Sequence, residues 1–264
     1  MIDGLYWEEH GPADGAPLIL SAGLGGSGNY WTPNLTALAQ HYRVILYDHR
    51  GTGRSDRTLP ATVSVDDLAR DILALMDGLG LDRAHLVGHA AGGVAGLALA
   101  LKAPERLASL VVVNGWASLD PHFARCFDAR LAILRGGGPE AYLRAQPIFL
   151  FPARWISEHD AALDAETAHQ LAAFPGAETM EKRIAALCGF DVADRLGAIA
   201  APVLALAAED DMLVPASCSE ALADGLPYAT LATMAWGGHA VNLTDRQGFE
   251  AIVLDFLARH SIEG

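Results

Sequence analysis

Three short segments of the chain carry side chains whose types and spacing suit acid–base chemistry. They read Leu-Val-Gly-His-Ala-Ala-Gly-Gly at 86–93, Glu-Asp-Asp-Met-Leu-Val-Pro at 209–215 and Trp-Gly-Gly-His-Ala at 236–240. A carboxylate can hold an imidazole in one tautomer, which leaves the other ring nitrogen free to take a proton from water. We therefore take His239 as a candidate base and expect its partner in the acidic segment.

The first segment has the glycine spacing of a nucleophile elbow. Gly88 and Gly92 flank position 90, as in the pattern G-x-S-x-G, where a sharp strand-to-helix turn leaves room only for tiny neighbours. Such a turn also aims backbone N–H groups of the new helix at the reacting atoms. Position 90 is Ala90, which has no hydroxyl, so no acyl-enzyme can form there. An ordinary glycine-rich turn remains the alternative interpretation.

A second glycine cluster resembles a nucleotide-binding loop but has the wrong context. Residues 23–28 match G-x-G-x-x-G, and Asp48 follows 20 residues after the cluster. In that fingerprint the helix opens among the glycines, which would place Pro33 inside it at a cost of about 3 kcal/mol. Thr32 and Pro33 instead predict a helix start, with Thr32 as the N-cap. We therefore expect the glycines to form a loop before the helix.

The elements around these segments predict an α/β fold with a mostly parallel sheet flanked by helices. Short apolar runs alternate with helical patterns, as in sheets whose strands are buried on both faces. A capping-box start at Ser64 precedes apolar residues at helical spacing, and a small-residue helix is expected at 92–102. The predicted strands are Leu18–Ala22, Arg43–Asp48, His85–His89, Leu107–Asn114, Pro202–Ala208 and Tyr228–Ala235.

The alternation stops between about Ser118 and Asp191. Apolar residues there fall at helical intervals, and glycine–proline clusters at 136–139 and 174–176 interrupt them. We expect residues 1–117 and 191–264 to form the core and residues 118–190 to form an inserted helical lid. The helical spacing is carried by Phe123, Phe127, Leu131 and Leu134, and later by Leu163, Ala168 and Leu171.

Composition narrows the classes of function. The 264 residues include 32 acidic and 18 basic side chains, and the net charge of −14 argues against nucleic acid or anionic lipid as a partner. We find no apolar run long enough for a membrane span, and the acidic N-terminus is unlike a signal peptide. Three distant cysteines suggest neither disulfides nor a metal site. We expect a soluble cytoplasmic protein with a small-molecule substrate and no cofactor or metal; a homodimer stays open.

The chain order of the segments resembles the α/β-hydrolase superfamily. Elbow, acid and histidine follow each other in that order, each after a predicted strand. Asp48–Ser55 resembles the D-x-R-G-x-G-x-S loop of these proteins, and Ala22–Gly25 resembles their oxyanion loop. More narrowly, the chain resembles the RutD family of bacterial pyrimidine (uracil) degradation. The matching stretches are 21–28, 87–90, 113–116, 145–152 and 237–245, so the resemblance spans core and lid.

That resemblance implies a serine-independent hydrolase. The family also carries Ala at the nucleophile position, and its G-x-x-D frame aligns Asp211 as the histidine's acid, with Asp210 as the alternative. Backbone N–H groups of Leu24 and Ala91 would receive a developing oxyanion. The implied reaction is ammonia release from 3-aminoacrylate or carbamate by His–Asp activation of water. Aromatic and polar side chains that could line the pocket are Trp31, Asn114, Trp116 and Trp155.

Three other functions stay open at this point. The chain could be a non-catalytic homologue that binds a small molecule and has kept its pocket without the nucleophile. It could also be a serine-independent His–Asp enzyme such as a cofactor-free oxygenase, which would take up oxygen with an acidic aromatic substrate. A Ser-to-Ala variant of an esterase is the last alternative, and Ala90→Ser would then create esterase activity.

Overall fold

A seven-stranded sheet runs through the centre of the protein, whose computed structural model describes residues 1–262. The strand order is β1-β3-β2-β4-β5-β6-β7; β1 pairs antiparallel with β3, and all other pairs are parallel. The strands are β1 Trp7–His10, β2 Pro17–Ser21, β3 Arg43–Tyr47, β4 Ala84–His89, β5 Leu107–Val113, β6 Val203–Ala208 and β7 Ala229–Met234.

Nine helices in the described chain cover the two faces of this sheet or lie beyond its carboxyl edge. They are α1 Thr32–Leu38, α2 Val65–Gly78, α3 Ala91–Lys102, α4 Pro121–Leu150, α5 Ala153–Ala172, α6 Ala177–Cys188, α7 Ala216–Gly225, α8 Val241–Thr244 and α9 Arg246–Ala258. Short 3₁₀ helices occupy Gly28–Trp31, Pro104–Arg106 and Ala193–Ala198. The expected α/β architecture is confirmed.

Strand burial explains the continuous apolar runs of the sequence. Every residue of β4, β5 and β6 is buried. Successive side chains of a strand point to opposite faces of the sheet. In β2, Ile19 therefore packs into the cluster under α2 and α3, whereas Leu18 and Leu20 pack into the cluster under α1 and α9. Strands covered on both faces have no polar side to show in their sequence.

The predicted starts of two helices had different outcomes. Helix α2 begins after Ser64, whose backbone N–H donates to the Asp67 carboxylate at 2.8 Å, as the capping-box pattern predicted. The predicted N-cap at Thr32 is wrong by one residue: α1 begins at Thr32, and Trp31 precedes it at the end of a 3₁₀ helix. The glycines at 23–28 still precede the α-helix, because the 3₁₀ turn absorbs the last of them.

Strand β1 was missing from the sequence prediction. Its four residues, Trp-Glu-Glu-His, are all only partly buried, because β1 is an edge strand. An edge strand carries charged residues and lacks the apolar run that marks a central one. The six predicted strands are all present, with ends that differ by at most one residue.

The chain between β5 and β6 is helical, as expected. Helix α4 contains the predicted break: Gly138 has a φ of 77° and kinks the helix at the 136–139 cluster. Its buried residues include Phe123, Phe127 and Leu134, in agreement with the helical spacing. Helix α5 differs, because none of its residues is buried and Leu171 is exposed. The apolar spacing there indicated a helix correctly but not a buried face.

No helix in residues 1–262 is both long and apolar enough to cross a membrane.

Candidate active site

The turn between β4 and α3 has the backbone geometry of a nucleophile elbow. Ala90 has a φ of 47° and a ψ of −104°, a strained conformation for a residue other than glycine. Its N–H donates to the Val113 carbonyl at 2.8 Å. A Cβ at Gly88 would lie 2.3 Å from the Gly92 carbonyl carbon, and one at Gly92 would lie 2.3 Å from the Ser21 oxygen. The two flanking glycines are therefore required by space.

His239 and Asp211 meet at the carboxyl edge of the sheet. Nδ1 of His239 lies 2.7 Å from Oδ2 of Asp211, and both side chains are buried. The other carboxylate oxygen accepts the N–H groups of Leu213 at 2.7 Å and Val214 at 3.0 Å. A carboxylate only accepts, so Nδ1 carries a proton, and in the neutral ring Nε2 is then the nitrogen with the lone pair. Nε2 has no hydrogen-bond partner within residues 1–262.

Asp210, the alternative partner, binds the backbone of the histidine loop and not the imidazole. Its Oδ1 accepts the backbone N–H of Gly238 at 2.8 Å, one residue before the histidine. Asp210 therefore fixes the loop that carries His239, while Asp211 binds the imidazole itself. Residue type alone could not distinguish the two acids. The structure does, because the Asp211 carboxylate faces the imidazole and the Asp210 carboxylate does not.

The carbonyl of His239 receives two further side chains. Nδ2 of Asn114 and Nε2 of His89 both donate to it at 2.8 Å. Asn114 also accepts the Ala208 N–H at 3.1 Å, so one amide ties the histidine loop to the end of β6. Because Nε2 of His89 donates, its Nδ1 is unprotonated, and burial lowers the pKa of His89 well below its ordinary value. His89 is therefore a neutral support for His239.

Two backbone N–H groups lie next to the elbow without a protein acceptor. They belong to Leu24 and Ala91, and neither donates to any group of residues 1–262. A cavity of about 10 Å³ borders both residues, together with Leu68, Arg183, Ala186 and Leu187. That volume holds roughly one water molecule. The two residues whose N–H groups are expected to receive an oxyanion thus line one small space; we call it the inner cavity.

A larger cavity lies beside the inner one, and His239 lines neither of them. Its volume is about 250 Å³, and Leu68 and Arg183 belong to the walls of both. We call it the outer cavity; it is lined by Tyr47, His49, Arg50, Leu59, Pro60, Val63, Asp67, Leu68, Arg70, Asp71 and Arg183. Asp71 is held by Arg50 at 2.9 Å, so this carboxylate is already paired.

The three tryptophans proposed for a pocket line neither cavity. Trp31 is fully buried and stacks on Phe249 in the cluster under α1 and α9. Trp116 is buried against Phe123 of α4, with 4.4 Å between ring centroids, in the same cluster as Ala90 and Ala91. Trp155 is half-buried on α5, stacked on His159 at 4.0 Å. Asn114 lies closest to the chemistry, as a support of the histidine loop.

The loop after β3, which contains Asp48–Ser55, braces the glycine turn. The Asp48 carboxylate accepts the Gly28 N–H at 2.7 Å and the Arg54 N–H at 2.8 Å. Burial raises the pKa of Asp48, but the hydrogen bonds from Arg54 and Gly28 outweigh it, so the pKa lies below its ordinary value. Asp48 therefore remains a carboxylate that holds two loops together. The glycines at 23–28 lie outside any α-helix, so they do not have the geometry of a nucleotide-binding loop.

Arg183 and His49 were not identified from the sequence. Arg183, on α6, donates through Nε to the Leu24 carbonyl at 3.0 Å and through Nη2 to Nδ1 of His49 at 3.0 Å. A lone arginine in a helical insertion has no motif that marks it, and its neighbours come from distant parts of the chain. Within the described residues, no cluster of three or more His, Cys, Asp or Glu side chains could hold a metal ion.

Comparison with known proteins agrees with this geometry. The family model for the alpha/beta hydrolase fold matches residues 16–245. Proteins called "Putative carbamate hydrolase RutD" from Caulobacter sp. strain K31 and Variovorax paradoxus strain S110 are 56% and 53% identical to the chain. The first match covers 97% of both chains and the second 98% of both.

Solved structures show the same architecture. A hydrolase from Pseudomonas aeruginosa PA01 superimposes with a TM-score of 0.86 at 30% identity, over 96% of this chain and 93% of its own. An enol-lactonase from Burkholderia xenovorans LB400 also gives a TM-score of 0.86, at 25% identity, over 97% of this chain and 98% of its own. With these matches and the intact elbow, acid and histidine, the chain belongs to the α/β-hydrolase family and, within it, to the RutD family.

Proposed function

We propose that the protein is a hydrolase that releases ammonia from a small, labile, anionic substrate of pyrimidine degradation, either carbamate or 3-aminoacrylate. One observation carries this proposal. The His239–Asp211 pair is closed at 2.7 Å beside an elbow that holds Ala90 in place of a nucleophile. A base without a neighbouring hydroxyl can act on water directly.

The reaction on carbamate needs one proton acceptor and one proton donor. Nε2 of His239 takes a proton from water as the water oxygen attacks the carboxyl carbon. Asp211 stabilises the imidazolium, and the N–H groups of Leu24 and Ala91 face the developing charge. The C–N bond then breaks as the imidazolium returns its proton to nitrogen. Carbamate and water become bicarbonate and ammonia, with the same total charge on both sides.

The same groups suit 3-aminoacrylate. Water adds to the carbon that bears nitrogen, a proton goes to the neighbouring carbon, and the C–N bond breaks to give malonic semialdehyde and ammonia. The names of the relatives favour carbamate. Sites stripped of one triad member can keep roughly 10³- to 10⁴-fold catalysis from the remaining groups, which suffices for substrates that already decompose in water.

The test measures ammonia release from each substrate, prepared fresh, over the rate in buffer. Purified protein is compared with His239→Ala and with His41→Ala, whose histidine is exposed and outside the site. We expect acceleration that persists in the His41 variant and disappears in the His239 variant. Equal rates with all three proteins and with buffer would contradict the proposal for these substrates. A rate unchanged in His239→Ala alone would contradict the assignment of the base.

A further inference from the structure

Arg183 is a buried cation whose bonds all go to neutral groups. Its exposed fraction is 3%. It donates to the carbonyls of Leu24 at 3.0 Å and Arg50 at 3.4 Å and to the His49 ring at 3.0 Å. No carboxylate lies within ion-pair distance in residues 1–262. Charged side chains are almost never fully buried unless they are paired, so this charge lacks the partner it needs.

The His49 ring does not supply that partner. An arginine can only donate, so Nδ1 of His49 accepts and its proton must sit on Nε2. Nε2 lies 3.1 Å from the Ser21 hydroxyl, which in turn lies 2.8 Å from the Tyr47 hydroxyl. Burial and the Arg183 charge lower the pKa of His49 well below its ordinary value. The whole chain of groups behind Arg183 is therefore neutral at neutral pH.

Arg183 itself keeps its charge. Burial lowers its pKa to about 10, which still leaves the guanidinium protonated at pH 7. The acid nearest to balance it electrostatically, Asp71, is bound by Arg50. The protein as a whole carries a charge of −14, which repels an anion. A local uncompensated cation is what an anionic ligand would need to enter this molecule.

The position of Arg183 matches the proposed chemistry. Its guanidinium donates a hydrogen bond to the carbonyl of Leu24, a residue that lines the inner cavity, and Arg183 itself lines both cavities. An anion in the outer cavity would contact Arg183, which also lines the inner cavity together with Leu24 and Ala91. Arg183 therefore links the space that can admit a substrate to the residues whose N–H groups are expected to receive the oxyanion.

We propose that Arg183 binds the carboxylate of the substrate and so selects small monocarboxylate anions over neutral esters and amides. The proposal deepens the proposed function and rests on it only for the identity of the anion. Water attack on a carbamate anion builds a second negative charge on the same group of atoms, so an adjacent cation lowers the barrier. On 3-aminoacrylate the same guanidinium anchors the carboxylate while water adds two carbons away.

Arg130 provides the matched control. It is also 3% exposed, lies in α4 and donates to Tyr142 at 2.7 Å. Its guanidinium packs over the rings of Phe127, Tyr142 and Phe149 at 5.2–5.7 Å, which stabilises the charge by cation–π interaction. It lines neither cavity. Replacing it removes a buried positive charge from the helical insertion and leaves the proposed anion site intact.

The experiment pairs an inert anion with its neutral isostere. Binding of acetate and acetamide is measured by titration calorimetry on the wild-type protein, Arg183→Gln and Arg130→Gln. We expect the wild type and Arg130→Gln to bind acetate and not acetamide, and Arg183→Gln to lose roughly 10- to 100-fold in acetate affinity. The same variants are assayed for ammonia release, where Arg183→Gln should raise KM for the anionic substrate by a similar factor.

The outcomes separate the two proposals. Acetate binding that depends on Arg183, without ammonia release from either substrate, supports the anion site and contradicts the proposed function. Ammonia release that depends on His239 but is unchanged in Arg183→Gln overturns the anion site and leaves the function standing. If Arg183→Gln does not fold, Arg183→Lys keeps the charge and should keep the preference for acetate. Equal affinity of the wild type for acetate and acetamide overturns the proposal without any variant.

Discussion

The elbow around Ala90 and the loop around His239 lie together at one edge of the sheet, yet they hold their geometry by different means. The elbow is held by backbone alone: a φ of 47° at Ala90 and glycines at 88 and 92 that leave no space for a Cβ. The histidine loop is held by side chains, with Asn114 and His89 on its carbonyl.

The difference explains why the backbone geometry of the site does not require a nucleophilic side chain at position 90. No side chain at position 90 supports the elbow, so an alanine there changes neither the turn nor the N–H groups of Leu24 and Ala91. Removal of a side chain from the histidine loop would instead release the loop. A hydroxyl at position 90 is therefore separable from the rest of the site, while His239, Asp211 and the histidine loop form one hydrogen-bonded unit.

The largest effect on ammonia release is expected when the carboxylate that binds His239 is replaced. Asp211→Asn can no longer hold the neutral Nδ1–H tautomer, so ammonia release should fall by roughly 10²- to 10⁴-fold. Asp210→Asn is the matched control, because an amide oxygen still accepts the Gly238 N–H that Asp210 accepts at 2.8 Å. Steady-state ammonia assays on both variants check this. Equal losses would mean that the carboxylates act only by holding the loop.

The second effect comes from refilling the elbow. Ala90→Ser places a hydroxyl where the turn is already formed, so esterase activity on p-nitrophenyl acetate should rise by about 100-fold over the wild type. Stopped-flow absorbance should show an acyl-enzyme burst. The double variant Ala90→Ser/His239→Ala is the control and should show no burst. A burst that survives loss of the histidine would refute the pairing of the elbow with His239.

A smaller effect is expected when the histidine loop loses one support. Asn114→Ala removes the donor to the His239 carbonyl and the acceptor of the Ala208 N–H. The free energy of unfolding should fall by about 1–3 kcal/mol, measured by urea denaturation. Ammonia release should fall by about tenfold as the imidazole moves. Asn29→Ala, at an exposed asparagine, should change neither quantity; if it matched Asn114→Ala, the effect would not be specific to the loop.

The effect expected to be smallest at neutral pH concerns the strand that leads to the elbow. Burial lowers the pKa of His85, in β4, to about 4, so the folded protein keeps it neutral while the unfolded chain protonates it near pH 6.5. The unfolded state thus binds more protons, and stability rises with pH. The free energy of unfolding contributed by His85 should be fully present above pH 6.5 and fall by about 1.4 kcal/mol per pH unit down to about pH 4.

Urea denaturation at pH values between 7.5 and 4.5 tests this slope. His85→Gln should flatten it, whereas His41→Gln, at an exposed histidine, should leave it as in the wild type. An unchanged slope in His85→Gln would mean that other groups carry the acid sensitivity. Buried His49 and His89 have lowered pKa values as well, so some slope should remain in every variant.

Much of the fold could be predicted because the central strands are buried on both faces. β5 and β6 appear in the sequence as nearly continuous apolar runs, and α2 carries its buried residues at helical spacing. β1 was not predicted, because its four residues include two glutamates and a histidine and form no apolar run, whereas β7 at the other edge keeps enough apolar residues to be predicted. The exposure of α5 could not be predicted either, because apolar residues at helical spacing indicate a helix but not whether another element packs on it.

The sequence by itself determined the elbow, the order of elbow, acid and histidine, and the absence of a hydroxyl at position 90. These are local properties: tiny residues where a turn is crowded and side chains whose chemistry does not depend on their neighbours. Only the tertiary structure decided that Asp211 rather than Asp210 faces the ring, that Asn114 supports the histidine loop, and that the buried Arg183 lines two cavities. Each of these depends on contacts between residues about 30 to 160 positions apart, such as the bond from Arg183 to Leu24, which no spacing along the chain records.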